Sequence, residues 1–287
     1  GAASAHATIV DLADWGAATS NEAAPTAPSD QIRARARAFA EPLLFSQKFD
    51  TGEDALEHAD GVALTLQNIG ASPSLQAAAY LVYAAEYLNH PEEVITRSFG
   101  ADAAGLVVYT LKLVQVQRNA RDAMGDEADG PLRAEQVERI RKMLLAFSRD
   151  LRVVLLRLAS RMQTLRYYAA TKQPCPRALA RESLQVFAPL ANRLGIWQIK
   201  WEMEDLAFRF LMPDVYKSIA RSLHDKRLER ERHVEQVRQQ LDDELQAMGV
   251  KAEVQGRPKH LYSIWKKMQG KNLPIERVFD IQALRVI

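Results

Sequence analysis

Disulfides are the first thing this sequence cannot have. Its 287 residues hold a single cysteine, Cys175, so no intramolecular disulfide framework is available. That usage fits a reducing compartment, and the expected localisation is cytoplasmic. No run of about 18 apolar residues occurs, so a spanning helix and a membrane partner are not expected. The opening, GAASAHATIVDLADWG, lacks the basic n-region of a secretion signal. An excess of either charge is missing as well. With 38 Lys and Arg against 36 Asp and Glu, the formal net charge is +2. A globally basic surface for nucleic acid is thereby excluded, and any basic site must come from local clustering. What the chain does have is an apolar fraction of 47%. That is enough for a sizeable core, over a length that fits one to three domains.

Residues 1–30 read as a flexible arm, small, polar and proline-bearing in GAATSNEAAPTAPSD. From Gln31 helical periodicity dominates. In SLQAAAYLVYAAEYL, Leu75, Ala78, Ala79 and Val82 share one stripe. The stretch RNARDAMGDEADGPLRAEQ, with its glycines and acids, reads as a loop. EQVERIRKMLLAFSRDLRVVLLRLASRMQTLRYYAA then forms one or two long helices, broken by the two prolines of TKQPCPRA. A helix pair follows, RESLQVFAPLANRLG and IWQIKWEMEDLAFRFL, closed at Met212-Pro213. A charged helix runs from Val215 to about Met248 and stops at Gly249.

Beyond Gly249 the period changes. Val250, Ala252 and Val254 alternate with Lys251, Glu253 and Gln255, the pattern of a half-buried strand. Residues 258–269 return to helix, with Pro258 suited to the first turn. Residues 278–287, VFDIQALRVI, read as a second strand. The fold class expected is mainly α, ending in the truncated start of an α/β unit of β-α-β order. No internal repeat is visible.

On the 258–269 helix, Leu261, Ile264, Trp265 and Met268 make an apolar stripe. Lys259, Ser263 and Lys267 make a second one at i, i+4, i+8, with Arg257 at its mouth. Two ammonium groups and a hydroxyl at a helix N-terminus can hold a polyphosphate. Asp280 on the next strand could reach a Mg²⁺ bridging those phosphates. From spacing alone, a solvated cationic face is the simpler reading. An RNA-binding patch has weak support, because Trp265 is committed to the core.

VKAEVQGRPKHLYSIWKKM, followed by VFDIQALRVI, resembles the opening of the synthetase domain of RelA/SpoT-type (p)ppGpp enzymes. FAPLANRLGIWQIKWEMEDLAFRFLMPDVYKSIA resembles the linker helices of the same family. The resemblance implies transfer of pyrophosphate from ATP to the 3′-hydroxyl of GTP or GDP, with Mg²⁺ as cofactor. It implies that Arg257 lies against the ATP adenine and phosphates, that Lys259, Ser263 and Lys267 contact the phosphates, and that Asp280 binds Mg²⁺. The family's second metal-binding glutamate and its acceptor-stacking tyrosine are expected beyond Ile287, as are the regulatory domains that report on the ribosome. The chain is then expected to be an N-terminal fragment that is inactive by itself. Its domains would be a hydrolase-type region at 31–175, a helical linker at 176–215 and the incomplete start of a synthetase at 216–287.

In bifunctional members of the family the helical domain is an HD-type hydrolase that binds Mn²⁺ through a His, a His-Asp pair and a distant Asp. By that resemblance His58 stands at the first ligand position. The His-Asp pair falls on Val82 and Tyr83. The distant Asp, expected in the pattern LADRLHNMRTL, falls on Ser160 of LASRMQTLR. A catalytic Glu-Asp pair falls on Glu86 and Tyr87. One ligand in four implies a degenerate hydrolase without Mn²⁺, as in RelA-like, synthesis-only members. The rival readings are a living Mn²⁺-dependent hydrolase with unusual ligands and a helical module that binds RNA or protein. His224-Asp225 reads as a solvated helical face, His90 as a loop residue and Cys175 as structural. The open C-terminal strand is expected to offer an edge for self-association.

Overall fold

The computed structural model describes residues 29–124, 134–146, 150–247, 254–258 and 282–286. The arm expected over residues 1–30, apart from its last two residues, lies outside that set, as do the residues of the expected 258–269 helix beyond Pro258 and residues 278–281 and 287 of the expected second strand. The described chain is mainly helical and divides into two compact units, one running to Leu206 and one starting at Ala207.

The first unit opens with seven described helices: α1 (Ser29–Leu44), α2 (Ala55–Asn68), α3 (Pro73–Ala85), α4 (Pro91–Phe99), α5 (Ala101–Met124), α6 (Ala134–Ala146) and α7 (Leu151–Thr171). Their starts follow local chemistry. Asp54 caps α2 by accepting from the Glu57 amide, Ser72 caps α3 through the Leu75 amide, and Asp150 caps α7 through the Arg152 amide. Pro73 and Pro91 sit in first turns, where a missing N–H costs nothing. Lys172 ends α7 in the left-handed region at φ 57°, just before Pro174 and Pro176.

The centre of this unit is α3, which packs against α1, α2, α5 and α7. Its apolar stripe is wider than the sequence reading drew it. Leu75 to Val82, Ala84 and Ala85 are all buried, as suits a helix walled on several sides. The alanines let the neighbouring backbones approach, and Tyr80 and Leu81, each 1% exposed, fill the space between. Of the loop expected over residues 118–136, residues 118–124 and 134–136 are helical, and residues 125–133 lie outside the described set. Helix α5 continues to Met124 before Gly125, because Arg, Ala and Met in that stretch are good helix formers. The expected long helical region resolves into two, α6 and α7.

Past the prolines, α8 (Arg177–Glu182) passes through a π-turn at Ser183–Phe187 into α9 (Ala188–Arg193). Helix α10 (Trp197–Leu211) follows. In the second unit α11 (Pro213–Ala247) has 35 residues, a length of about 50 Å. Two short strands, β1 (Val254–Pro258) and β2 (Gln282–Val286), pair antiparallel, with Val254 opposite Val286 and Pro258 opposite Gln282. One expectation is corrected: Pro258 ends a strand instead of opening a helix. The expected first strand is described from Val254 onward, and its earlier residues lie outside the described set. Alternation of apolar residues sets a period but not the partner or the direction of pairing, and Pro258 is tolerated because it sits at a strand end.

Candidate functional site

Three of the positions singled out in the helical body meet in space. His58 comes from α2, Tyr83 from α3 and Ser160 from α7, three helices that pack together because each buries an apolar face around these polar groups. His58 is 2% exposed and Ser160 8%. The Tyr83 hydroxyl donates to Ser160 Oγ at 2.8 Å, and Ser160 Oγ lies 2.9 Å from His58 Nε2. The Tyr83 oxygen is also 3.0 Å from that nitrogen. Burial raises the Tyr83 phenol above its ordinary range, so it stays protonated and able to donate.

The other face of the imidazole is closed by a residue that sequence reasoning missed. Glu53, 2% exposed, places Oε1 2.5 Å from His58 Nδ1. Its second oxygen accepts from Gln163 Nε2 at 3.0 Å. The network assigns one continuous direction: Tyr83 donates to Ser160, Ser160 to Nε2, and Nδ1–H to Glu53. Phe49 stands edge-on to the imidazole at 5.1 Å between ring centres and closes it from the side. Glu53 reaches this position from the turn before α2, where Gly52 has φ +87° and its N–H bonds the Phe49 carbonyl at 2.9 Å. A Cβ on Gly52 would lie 3.1 Å from the Tyr167 hydroxyl. The turn therefore needs glycine for both conformation and space. Nothing in a period marks Glu53 as buried, because it lies outside the helix; the only signal was a carboxylate five residues before His58.

The remaining positions do not join this cluster. Val82, the neighbour of Tyr83, is 6% exposed in the apolar packing of α3. Glu86 ends α3 with its side chain partly exposed, 3.9 Å from Arg118. Tyr87 is 39% exposed, and burial, followed by the Glu86 charge, raises its phenol. Arg257 lies in β1 opposite Ala283. Lys259, Ser263, Lys267 and Asp280 lie outside the described residues. His90 precedes α4 at its cap position and is exposed, and His224 is exposed on α11. Burial pushes the Cys175 thiol up to about 11, which leaves it little thiolate and little reactivity at neutral pH.

The donor set at the cluster is one imidazole nitrogen, one phenol and one alcohol. A divalent ion needs several basic N or O ligands about 2.0–2.2 Å away on converging lines. Here the space before Nε2 is filled by the Ser160 and Tyr83 oxygens, and Nδ1 is committed to Glu53. The groups present do not fit Mn²⁺. Among the described residues, no group of three His, Cys, Asp or Glu side chains could hold an ion. No described helix is long and apolar enough to cross a membrane.

A family model of the HD domain matches residues 36–197, more than half of the chain and the whole of this cluster. The chain is 42% identical over 196 residues to the GTP pyrophosphokinase of Escherichia coli (strain K12), covering 68% of this chain and 26% of that protein. It is 38% identical over 263 residues to a probable guanosine-3′,5′-bis(diphosphate) 3′-pyrophosphohydrolase of Synechocystis sp., covering 91% of this chain and 33% of that protein. The corresponding hydrolase of Aquifex aeolicus is 33% identical over 254 residues, 88% of this chain and 34% of its own length. The chain thus spans about a quarter to a third of the length of these curated relatives.

Proposed function

This chain belongs to the RelA/SpoT family of HD-domain proteins, and from that premise we propose that its helical body is a hydrolase-type domain without hydrolase chemistry, carried ahead of a (p)ppGpp synthetase. The observation that carries the reading is the closed chain Tyr83–Ser160–His58–Glu53. Hydrolysis of a 3′-pyrophosphate through a bound metal requires an ion that activates water and neutralises phosphate charge. A site whose single imidazole is hydrogen-bonded at both nitrogens offers no ligand set for one. Dialysis against Mn²⁺ followed by metal analysis is expected to leave well under one ion per chain, with no pyrophosphate released from ppGpp. Stoichiometric Mn²⁺ with turnover would overturn the reading. The triple substitution Val82→His, Tyr83→Asp, Ser160→Asp restores the family's ligand types at the three positions and is expected to raise Mn²⁺ retention above the parent chain.

The proposed activity of the parent protein is transfer of pyrophosphate from ATP to the 3′-hydroxyl of GTP or GDP, with Mg²⁺ held in part by Asp280. Names of relatives that make and that degrade the same nucleotide support this reaction class. Arg257, Lys259, Ser263 and Lys267 are proposed as contacts to ATP, and this chain alone is proposed to carry only that donor half. Without an aligned acceptor the proximity contribution is absent, so no ppGpp synthesis is expected. Calorimetric titration with Mg·ATP is expected to give weak binding that Lys259→Ala weakens further. Equal binding by that variant would return the basic stripe to a solvated face. Cytoplasmic residence follows as part of the same proposal.

A further inference from the structure

The helical path from Arg177 to Arg193 contains one turn that is not α-helical. Ser183–Phe187 form a π-turn, with the Ala188 N–H bonded to the Ser183 carbonyl five residues back. Two residues later stands Pro189, and its position gives the turn a sequence cause. In an α register the Gln185 carbonyl would need the N–H of residue 189, which proline lacks. In a π register the Leu184 carbonyl would need it instead. The α register loses only the Gln185 bond but sets the Pro189 ring against that carbonyl, while the π-turn relieves the clash and gives up the Leu184 bond as well. These backbone terms oppose each other, so side-chain contacts outside the helix can tip the balance.

The selector visible in the structure is Arg161, 4% exposed on α7. Its Nη2 donates to Glu182 Oε1 at 2.6 Å, and its Nη1 donates to Ser183 Oγ at 3.2 Å. The guanidinium carbon lies 4.2 Å from the centre of the Phe187 ring. Glu182, Ser183 and Phe187 bracket the π-turn, so one planar cation touches both of its ends. Removing the extra residue of the turn would rotate everything past it by about 100°. Phe187 could then no longer lie over Arg161 while Glu182 stayed in place. The next residue toward the N-terminus of α7 is Ser160, whose hydroxyl belongs to the His58 cluster.

We propose that Ser183–Phe187 is a two-register switch, held in its π form by Arg161, and that its setting is coupled through the Ser160–Arg161 step to the His58 cluster. This goes beyond the proposed function and does not depend on it, because it needs neither a metal nor a nucleotide. A two-state element biased from two places is the minimal physical basis for coupling between them.

Hydrogen-exchange mass spectrometry on the intact chain tests the idea. Arg161→Lys keeps the charge but loses the planar stack and the two-pronged contact. It is expected to speed exchange at residues 187–191 by about tenfold, with α1 to α3 unchanged. Ser160→Ala touches none of those residues, yet is expected to alter their exchange several-fold. Tyr83→Phe, which removes one hydroxyl and keeps the ring, is the second probe should Ser160→Ala fold poorly, and is expected to move them in the same direction. Exchange at 187–191 within twofold of the parent chain in the Ser160 and Tyr83 variants would overturn the coupling. An Arg161→Lys effect spread evenly over all helices would overturn the switch, since it would report only global loss of stability.

Discussion

Helices α2 and α3 meet through two polar networks, each using a tyrosine of α3. Tyr80 donates to Asp60 at 2.6 Å near the surface, and Tyr83, one turn later, donates into the buried His58 cluster. In the first network the carboxylate is answered by a charge: Arg37 grips Asp60 with contacts of 2.8 and 3.0 Å, and Arg33 reaches Gln67 and Gln76 alongside. In the second the carboxylate of Glu53 is answered by a buried imidazole N–H and a part-buried amide. The rim network can lose a partner to solvent at small cost. The buried one cannot, because an unpaired polar group there keeps its full desolvation penalty. A cluster of such groups is therefore held in place by its own hydrogen bonds.

The sharpest way to break this comparison is Glu53→Ala. It strands His58 Nδ1–H and the Gln163 amide together and is expected to cost about 3 kcal/mol in urea unfolding. A loss below that of an ordinary surface substitution would mean that water enters the cluster freely. Tyr83→Phe removes one hydroxyl but leaves Ser160 to serve His58, and about 1.5 kcal/mol is expected by the same measurement.

Gly61→Ala probes the link from α2 to Gln163. Alanine in a helix interior ordinarily stabilises by about 1 kcal/mol relative to glycine. Here a Cβ would lie 2.0 Å from Gln163 Oε1, so the amide must swing away and release Glu53. A net loss of about 1 kcal/mol is expected in place of the gain. A gain in thermal stability would show that Gln163 moves without consequence.

The smallest effect is expected at the rim. Burial pushes the Asp60 carboxyl up, but hydrogen bonds from Arg37 and Tyr80 and the charges of Arg37 and Arg33 outweigh it, so it lies below its ordinary value. A depressed carboxylate contributes stability above its unfolded value, near pH 4, and loses it as pH falls through the folded one. The pair is about 40% exposed on the arginine side, so screening limits its contribution. Arg37→Ala is expected to cost about 0.5 kcal/mol at pH 7, with the gap from the parent chain closing below about pH 4. A gap that persists at pH 2 would mean that Arg37 acts by packing.

The sequence alone determined much of the helical body. The proline breaks after α7 and the stop at Met212-Pro213 depend on residues a few positions apart, and local chemistry suffices to read them. The resemblance singled out His58, Val82, Tyr83 and Ser160; in the fold His58, Tyr83 and Ser160 share hydrogen bonds, and Val82 lies in apolar packing. Glu53 and Gln163 were not legible, because a partner 110 residues away leaves no trace in any local period. Nor was the π-turn, although Pro189 was its warning: proline forbids a bond but does not choose the register. The pairing of β1 with β2 was decided in the same way, since alternation cannot give direction. In each case the deciding contact is long-range, and only the packed tertiary structure brings its two halves within hydrogen-bonding distance.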